Sequence, residues 1–483
     1  MAWICPPAWM QKGRHVIDVA IVNGSLLNPS PEGHDLRRRQ ATLAIHEGRI
    51  QAVLDPAETV DAAQVLDAEG MLVLPGAIDV HFHCRAPAFP RRGDFATETR
   101  AAAAGGVTTV FEMPISKPGV STAHIWESRA ALVRRQAFVN VGLYGSPGLL
   151  LSEEIEAMAA AGAIGFKLFL TRAPEGREDE FDGLVATDLA SVVAALELVR
   201  STGLPCVFHA EEQSLVDLYS TRALTSPGPD FRRHGRSRPA IVEATAVAAL
   251  IAIAQQLDTH IHIAHVSAKA TVDLLRYARA VGAPVTAETC PHYLFFTEDI
   301  LEEIGPYGKI NPPLRAAEDR DALWGALLEG ILAVIASDHS PFTAEEKEAT
   351  WGHILDAPPG HPGVEGLVPL VLTEALRGRF SLERAVQFIS TGPAQLFNLY
   401  PRKGTLQPGA DADITIYDPR PARQIKRAEW LSRAAACNRL YDGMTIQGEV
   451  YATLLGGKLI YHGGRVLGRP GDGKIVRPLS WAP

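Results

Sequence analysis

Cysteine is scarce in this chain, with five in 483 residues. Cys5, Cys84, Cys206, Cys290 and Cys437 are scattered and form no Cys-x-x-Cys pair, which excludes a disulfide framework and a thiolate zinc site. A reduced, cytoplasmic setting fits that usage best. No run approaches the roughly 20 apolar residues of a membrane span. The opening MAWICPPAWMQKGRH has neither the apolar core nor the basic leader of an export signal. Excess positive charge is missing too: 46 Lys and Arg stand against 55 Asp and Glu, a formal net charge of -9. That balance argues against nucleic acid or anionic membrane as the partner, and a small-molecule substrate is the better expectation. Low-complexity tracts are absent, and with them the composition of large-scale disorder.

What is present is an ordinary globular composition, 47% hydrophobic and 21% charged, at a length that suits one large α/β barrel with an added module. From residue 76 to about 400 one unit repeats: a short β-rich run, a polar or glycine-bearing turn, then an alanine-rich amphipathic stretch. The strand candidates are AIDVHFH (77–83), TTVFEM (108–113), FVNVGLYG (138–145), GFKLFL (165–170), PCVFHA (205–210), HIHIAHVS (260–267), VTAETCPH (285–292) and LAVIASDHS (332–340). Helical stretches such as ATETRAAAAGG, EEIEAMAAAG and DRDALWGALLEG fill the intervals, several ending at glycine as helix C-caps do. Eight such units predict an α/β fold, a closed (β/α)8 barrel of TIM type over residues 73–402. Glycine-punctuated short strands in 15–72 and 403–470 are expected to meet in one small β-sandwich module. Residues 471–483 are expected to form an extended tail with little to pack, and the start of the chain to be ragged.

Barrels of this type carry their active sites at the C-terminal ends of the strands, and polar residues gather there. His81 and His83 end the first strand, on one face because side chains alternate along an extended chain. Lys167 lies in the fourth strand, His209 in the fifth, His265 in the sixth and Asp338 in the eighth. Four histidines, a lysine and an aspartate on five strand ends predict a metal site. Lys167 is the odd member, since an ammonium offers no lone pair. It is either a salt-bridged lysine at the barrel mouth or one modified into an anion.

In these motifs and their order the sequence resembles the cyclic amidohydrolases, the group that holds dihydroorotase, allantoinase and hydantoinase or dihydropyrimidinase. PGAIDVHFH, GGVTTVFEMP, GFKLF, FHAEE, HIAHVS, ETCPHY, KINPPLR, ASDHSP and KGTLQPGADAD all look like motifs of that family. The resemblance implies a centre of two divalent metal ions, usually zinc, bridged by a carboxylated lysine and a hydroxide. His81, His83 and Asp338 would hold one metal, His209 and His265 the other, and carboxylated Lys167 would bridge them. It further implies ring opening of a cyclic amide, with Asp338 carrying the proton to the leaving nitrogen, and a homodimer or homotetramer. A relative that had lost catalysis and served as a scaffold would be expected to lack some of these six ligands, and all six are present.

The ring is less well specified than the chemistry. Arg85 could receive a substrate carboxylate, as the dihydroorotase resemblance implies, and Asn311 in KINPPLR resembles a substrate-contacting asparagine of that enzyme. Where the dihydroorotase pattern reads MPNT, however, this chain reads MPIS, with Ile115 in place of an asparagine that helps hold the carboxylate. EMP, ETCPHY and SDHSP look more like allantoinase, and SRPAIVEATAVAAL is similar to hydantoinases. An allantoin, hydantoin or dihydropyrimidine ring is therefore expected, with dihydroorotate as the alternative. His292, at the seventh strand end, is expected to contact substrate or support the site, and Gly363 to meet the substrate through backbone groups. His339 is expected to be structural, and His262 to face away from His265 by alternation.

Overall fold

Eight short strands run parallel in chain order: Ala77–Phe82, Val107–Glu112, Asn140–Gly145, Gly165–Phe169, Cys206–His209, Ile261–Ile263, Val285–Thr289 and Val334–Ile335. The computed structural model describes residues 17–28 and 37–479; the expected ragged start and the last four residues of the expected tail lie outside the described residues. Seven strands fall inside their candidate stretches and the second starts one residue early, at Val107, but the later ones are short, the eighth having two residues. A ladder from so short a strand cannot close the barrel. Closure comes instead from a Phe82–His339 bridge and from Asp79, whose carboxylate accepts the Ser337 N–H at 2.9 Å and the Ser337 hydroxyl. A side chain thus replaces missing rungs of backbone pairing.

Outer helices begin and end where the sequence supplies caps. Asp94 builds a capping box on Phe95–Ala104, and Asp188 caps Leu189–Arg200. Gly162 and Gly330 end Ser152–Ala161 and Ala317–Glu329 in the left-handed conformation that favours glycine. The run Phe231–Leu257 is long and apolar enough to cross a membrane by composition. It is divided at Arg238 and Pro239 into Phe231–Ser237 and Ala240–Leu257, and the second helix packs on the barrel. Its buried Glu243 accepts the backbone N–H groups of Ser267 and Ala268 beyond the sixth strand.

The two ends of the chain meet in a nine-stranded sheet, joined where Leu72–Pro75 pairs antiparallel with Ile414–Gln424. Bulges at Ile21/Gly24 and Ile416/Tyr417 bend it. The sheet turns back until the Ile50 N–H donates to Ala410 O at 2.9 Å. Leu43, Ile45, Ile50, Ile414 and Leu454 form the core between its two arms, so one curled sheet does the work of the expected sandwich. Residues 471–479 differ from the expectation of a tail with little to pack. Lys474 and Val476 pair with Val141 of the third barrel strand, and Val476 is buried with Phe111, Tyr144 and Phe397 in the barrel floor.

Candidate metal centre and substrate cavity

His81, His83, Lys167, His209, His265 and Asp338 are all buried at the barrel mouth. His81 Nε2 and His83 Nε2 lie 3.4 and 3.6 Å from Asp338 Oδ1. One donor atom from each of the three falls within 4.8 Å of the others, a group able to hold a metal ion. His209 Nδ1 stands 3.0 Å from His265 Nε2, and the His265 ring is 5.0 Å from that of His81, so the two groups adjoin. Lys167 feels the charge of Asp338 and acts on all four histidines. Its Nζ is buried with no hydrogen-bond partner, 5.0 Å from the Phe169 ring.

Burial sets the protonation of this cluster. It pulls His81 down to about 4 and His83 and His265 well below the ordinary imidazole range, leaving neutral rings with lone pairs. That is the form that binds metals. The same burial draws Lys167 down to about 8 and pushes the Asp338 carboxyl well above its ordinary value. A divalent cation offers what the cluster lacks, because it satisfies the facing histidine nitrogens and favours the ionised carboxylate at once.

Three of the expected ligands do not sit in strands: His83 lies one residue beyond Phe82, and two lie farther out. His265 and Asp338 lie beyond Ile263 and Ile335, with φ of 39° and 46°, and Arg85 has φ of 67°. Non-glycine residues rarely adopt such backbone, which persists only where the surroundings over-determine it. Glu288, which the sequence reading did not single out, supplies part of that constraint. Its Oε1 accepts from His81 Nδ1 at 2.6 Å and from the His265 backbone N–H at 3.3 Å, while Oε2 is 3.2 Å from His262 Nε2. Burial opposes its charge, yet His81 and His262 outweigh burial and hold the carboxyl well below the ordinary range. With Nδ1 committed to Glu288, His81 presents Nε2 to Asp338. An acid placed among the buried residues of a strand was the available sequence signal. His262 therefore faces inward like His265, contrary to the alternation argument, because the strand ends at Ile263 and the left-handed turn at His265 breaks the period.

A second buried carboxylate holds His209. Glu211 Oε2 is 2.8 Å from His209 Nε2 and is also bound by Arg238. Burial raises its pKa, but Arg238 and His209 bring it down to about 2. His339 is structural as expected: its Nε2 is 2.9 Å from Glu98 Oε2 and its ring stacks on Phe82 at 4.8 Å. Gly363, expected to meet the substrate through backbone groups, donates its N–H to His339 Nδ1 at 3.1 Å and is not among the residues lining the cavity.

A cavity of about 90 Å³ opens over the cluster. Arg85 and Asn311, two of the expected substrate contacts, line it together with Ile115. His292 does not, since Pro291 starts a short helix, Pro291–Phe295, instead of extending the strand. Its ring is buried with Nδ1 3.0 Å from His361 Nε2, and its own Nε2 has no partner. Phe169, Phe181, Pro174 and Pro359 form apolar wall, and Arg172, Arg177 and Arg238 add cations that the sequence reading missed. Arg85 is buried, donates to the Ser340 hydroxyl and to Pro341 O at 3.2 Å, and lies 4.5 Å over the Phe342 ring. Gly360 is required here: at φ of 135° a side chain would strike Ser340 and disturb the group that holds Arg85.

Comparison with known proteins agrees with this geometry. Residues 72–460 match the model of the amidohydrolase family. The chain is 32% identical to an L-hydantoinase of Paenarthrobacter aurescens over 441 residues, covering 90% of this chain and 94% of that one. It is 34% identical to an allantoinase of Rubrobacter xylanophilus, covering 91% and 94%, and 33% identical to a dihydroorotase of Bacillus cytotoxicus, covering 87% and 94%. Among solved structures, the L-hydantoinase (dihydropyrimidinase) from Arthrobacter aurescens superposes with a TM-score of 0.88 at 31% identity, covering 95% of this chain and all of that one. On the barrel, the buried histidine and aspartate cluster and these relatives, the chain belongs to the amidohydrolase family and is a hydrolase of cyclic amides.

Proposed function

We propose that the enzyme opens a hydantoin, allantoin or dihydropyrimidine ring at the ring amide C–N bond, using two divalent ions, zinc being the expected metal. His81, His83 and Asp338 would hold one ion and His209 and His265 the other, with carboxylated Lys167 between them. The observation that carries this reading is Lys167 itself, a fully buried amine whose Nζ has no partner among four histidines. Reaction of the neutral amine with carbon dioxide gives a carbamate and releases a proton, which turns an awkward cation into an anionic oxygen ligand. Bound there, divalent ions lower the pKa of water and polarise an amide carbonyl.

The chain's own residues supply the rest. Asp338 Oδ1, beside both His81 and His83, takes the proton of the attacking water and delivers it to the departing ring nitrogen. Arg85 and Asn311 orient the ring from the cavity wall, and His292, held against His361, has a supporting role outside the cavity lining. Glu288 and Glu211 fix the rings of His81 and His209. A dihydroorotate substrate is the second reading, favoured by Arg85, whose hydrogen bonds reach neutral acceptors. The buried, unpaired Cys84, Cys206, Cys290 and Cys437 support a cytoplasmic location, and a homodimer or homotetramer is the proposed assembly. The test is turnover of allantoin, hydantoin, dihydrouracil and dihydroorotate by metal-replete protein, with metal content measured on the same sample. About two ions per chain with turnover of a ureide other than dihydroorotate is the expected result, while a clear preference for dihydroorotate selects the second reading.

A further inference from the structure

We infer that the ring opened by this enzyme carries a carboxylate on a short flexible arm, received between Arg85 and Arg177. The inference rests on the ring-opening reading above and names the substrate class within it. Arg177 belongs to the loop between the fourth barrel strand and its helix. That loop is closed at its neck, where the Phe169 N–H donates to Leu184 O at 3.0 Å and the Ala186 N–H to Phe169 O at 2.9 Å. From this loop Arg177 and Phe181 reach the cavity wall.

The charges around Phe342 do not balance. Its fully buried ring is approached by Arg85 at 4.5 Å, Arg92 at 4.7 Å, Lys347 at 5.6 Å and Arg177 at 5.8 Å. Glu346 pairs with Arg92, and Glu180 binds Arg177 through two contacts of 2.6 Å. Lys347 donates to the carbonyls of Pro306, Lys309 and Pro358. Arg85 has no hydrogen-bonded carboxylate among the described residues: its donors meet the Ser340 hydroxyl and the Pro341 carbonyl, and Glu180 and Glu112 act on it through charge alone. The cavity lining offers one carboxylate, Asp338, which belongs to the metal group. A buried guanidinium with no carboxylate in direct contact is incompletely compensated, and a ligand carboxylate would supply that contact.

An arm fits better than an acid fixed directly to the ring. Arg85 follows His83 by two residues and lies close to the histidines, whereas Arg177 reaches the cavity from the separate loop. Ile115 offers no donor to a carboxylate on the ring, and with Phe169 and Phe181 it gives methylene groups an apolar wall. Two guanidinium groups over one aromatic ring can then converge on the acid beyond it.

The experiment compares hydantoins with methyl and propyl arms against carboxymethyl and carboxyethyl arms, with dihydroorotate alongside, using the metal-replete enzyme and Arg177→Gln. We expect kcat/KM for the acid arms to exceed that of the neutral arms about tenfold or more. Arg177→Gln should lower the acid-to-neutral ratio by a similar factor, mainly through KM, and Arg177→Lys should restore part of it. The ratio is taken on one protein sample, so loss of folded enzyme cancels. Neutral arms turned over as well as acid ones would overturn the inference and leave ring opening standing. Dihydroorotate preferred over both acid arms would overturn the arm. No turnover of any ring overturns the ring-opening reading and this inference with it.

Discussion

Two buried lysines at opposite ends of the barrel solve the same problem differently. Lys403, below the floor where the curled sheet meets the barrel, binds Asp413 and lies 3.0 Å from Asp411. Asp413 in turn accepts from Asn140 at 3.0 Å and from the Gly456 N–H at 2.8 Å. Every charge there is answered from within the chain. Lys167, at the mouth, has no hydrogen-bond partner among the described residues and meets Glu288 and Asp338 through charge alone, and His83 Nδ1, His265 Nδ1 and Asn311 Oδ1 around the same site are also without hydrogen-bond partners there. Native proteins satisfy buried polar groups almost without exception. A cluster of unsatisfied ones marks the end of the barrel where something else completes the bonding.

The comparison breaks most readily at Lys167. Lys167→Ala should cut turnover by about 10³-fold or more and lower bound metal, on the scale of removing a group on which a metal centre depends. Its thermal stability in the absence of metal should be unchanged or higher, since no hydrogen bond is lost. A variant that keeps both metal and rate would remove Lys167 from the centre. Asp338→Ala comes next: turnover should fall about 10² to 10⁴-fold, the usual worth of a positioned acid or base, while much of the metal stays bound. An unaltered rate would end its role as proton carrier. At the floor the pattern reverses. Lys403→Met should destabilise the fold by about 3–5 kcal/mol, because two aspartates lose their cation, yet leave turnover per folded molecule intact. Urea denaturation beside an active-site titration separates the two effects.

Much of the site was legible because its residues obey local rules. His81 and His83 share a face by strand alternation, and Lys167 and His209 lie in strands whose apolar pattern is plain. What escaped depends on pairings between distant strands. Glu288 meets His81 across 207 residues, and Asp79 meets Ser337 across 258. Neither pairing leaves a periodic trace in the chain. Alternation also failed for His262, because the backbone turns left-handed at His265, and the bond from the Gly363 N–H to His339 joins residues 24 apart. The fold was legible for a related reason: each βα unit is a local pattern, whereas closure by Asp79 and the floor made by residues 471–479 are not.

Glu288 offers a sharper, smaller test of how the mouth is held. Glu288→Gln keeps the shape and removes the charge that faces His81 and His262. Metal affinity should fall about 10 to 100-fold, as for other carboxylates behind ligating histidines, and Glu288→Asp should recover part of it. Equal metal affinity in both variants would make Glu288 a packing residue only.

The smallest expected effect concerns His234, a buried group satisfied from within the chain as Lys403 is. Its Nε2 lies 2.7 Å from Ile310 O, and burial, with Lys309 adding to it, brings its pKa down to about 3. The folded protein therefore holds it neutral, while the unfolded chain takes up a proton near the ordinary value of 6.5. The unfolded state binds more protons between those values, so its contribution to stability is full above pH 6.5 and is lost as the pH falls toward 3. The slope is at most about 1.4 kcal/mol per pH unit for one group. His234→Gln keeps a donor for Ile310 O and removes the titration. Urea midpoints at pH 7.5, 6.5 and 5 should show wild-type stability falling more steeply on acidification than that of the variant, by up to about 2 kcal/mol at the lowest pH. Parallel curves would mean that His234 is charged in the folded protein, and that a backbone carbonyl does not keep a buried group neutral in the way the floor aspartates keep Lys403 paired.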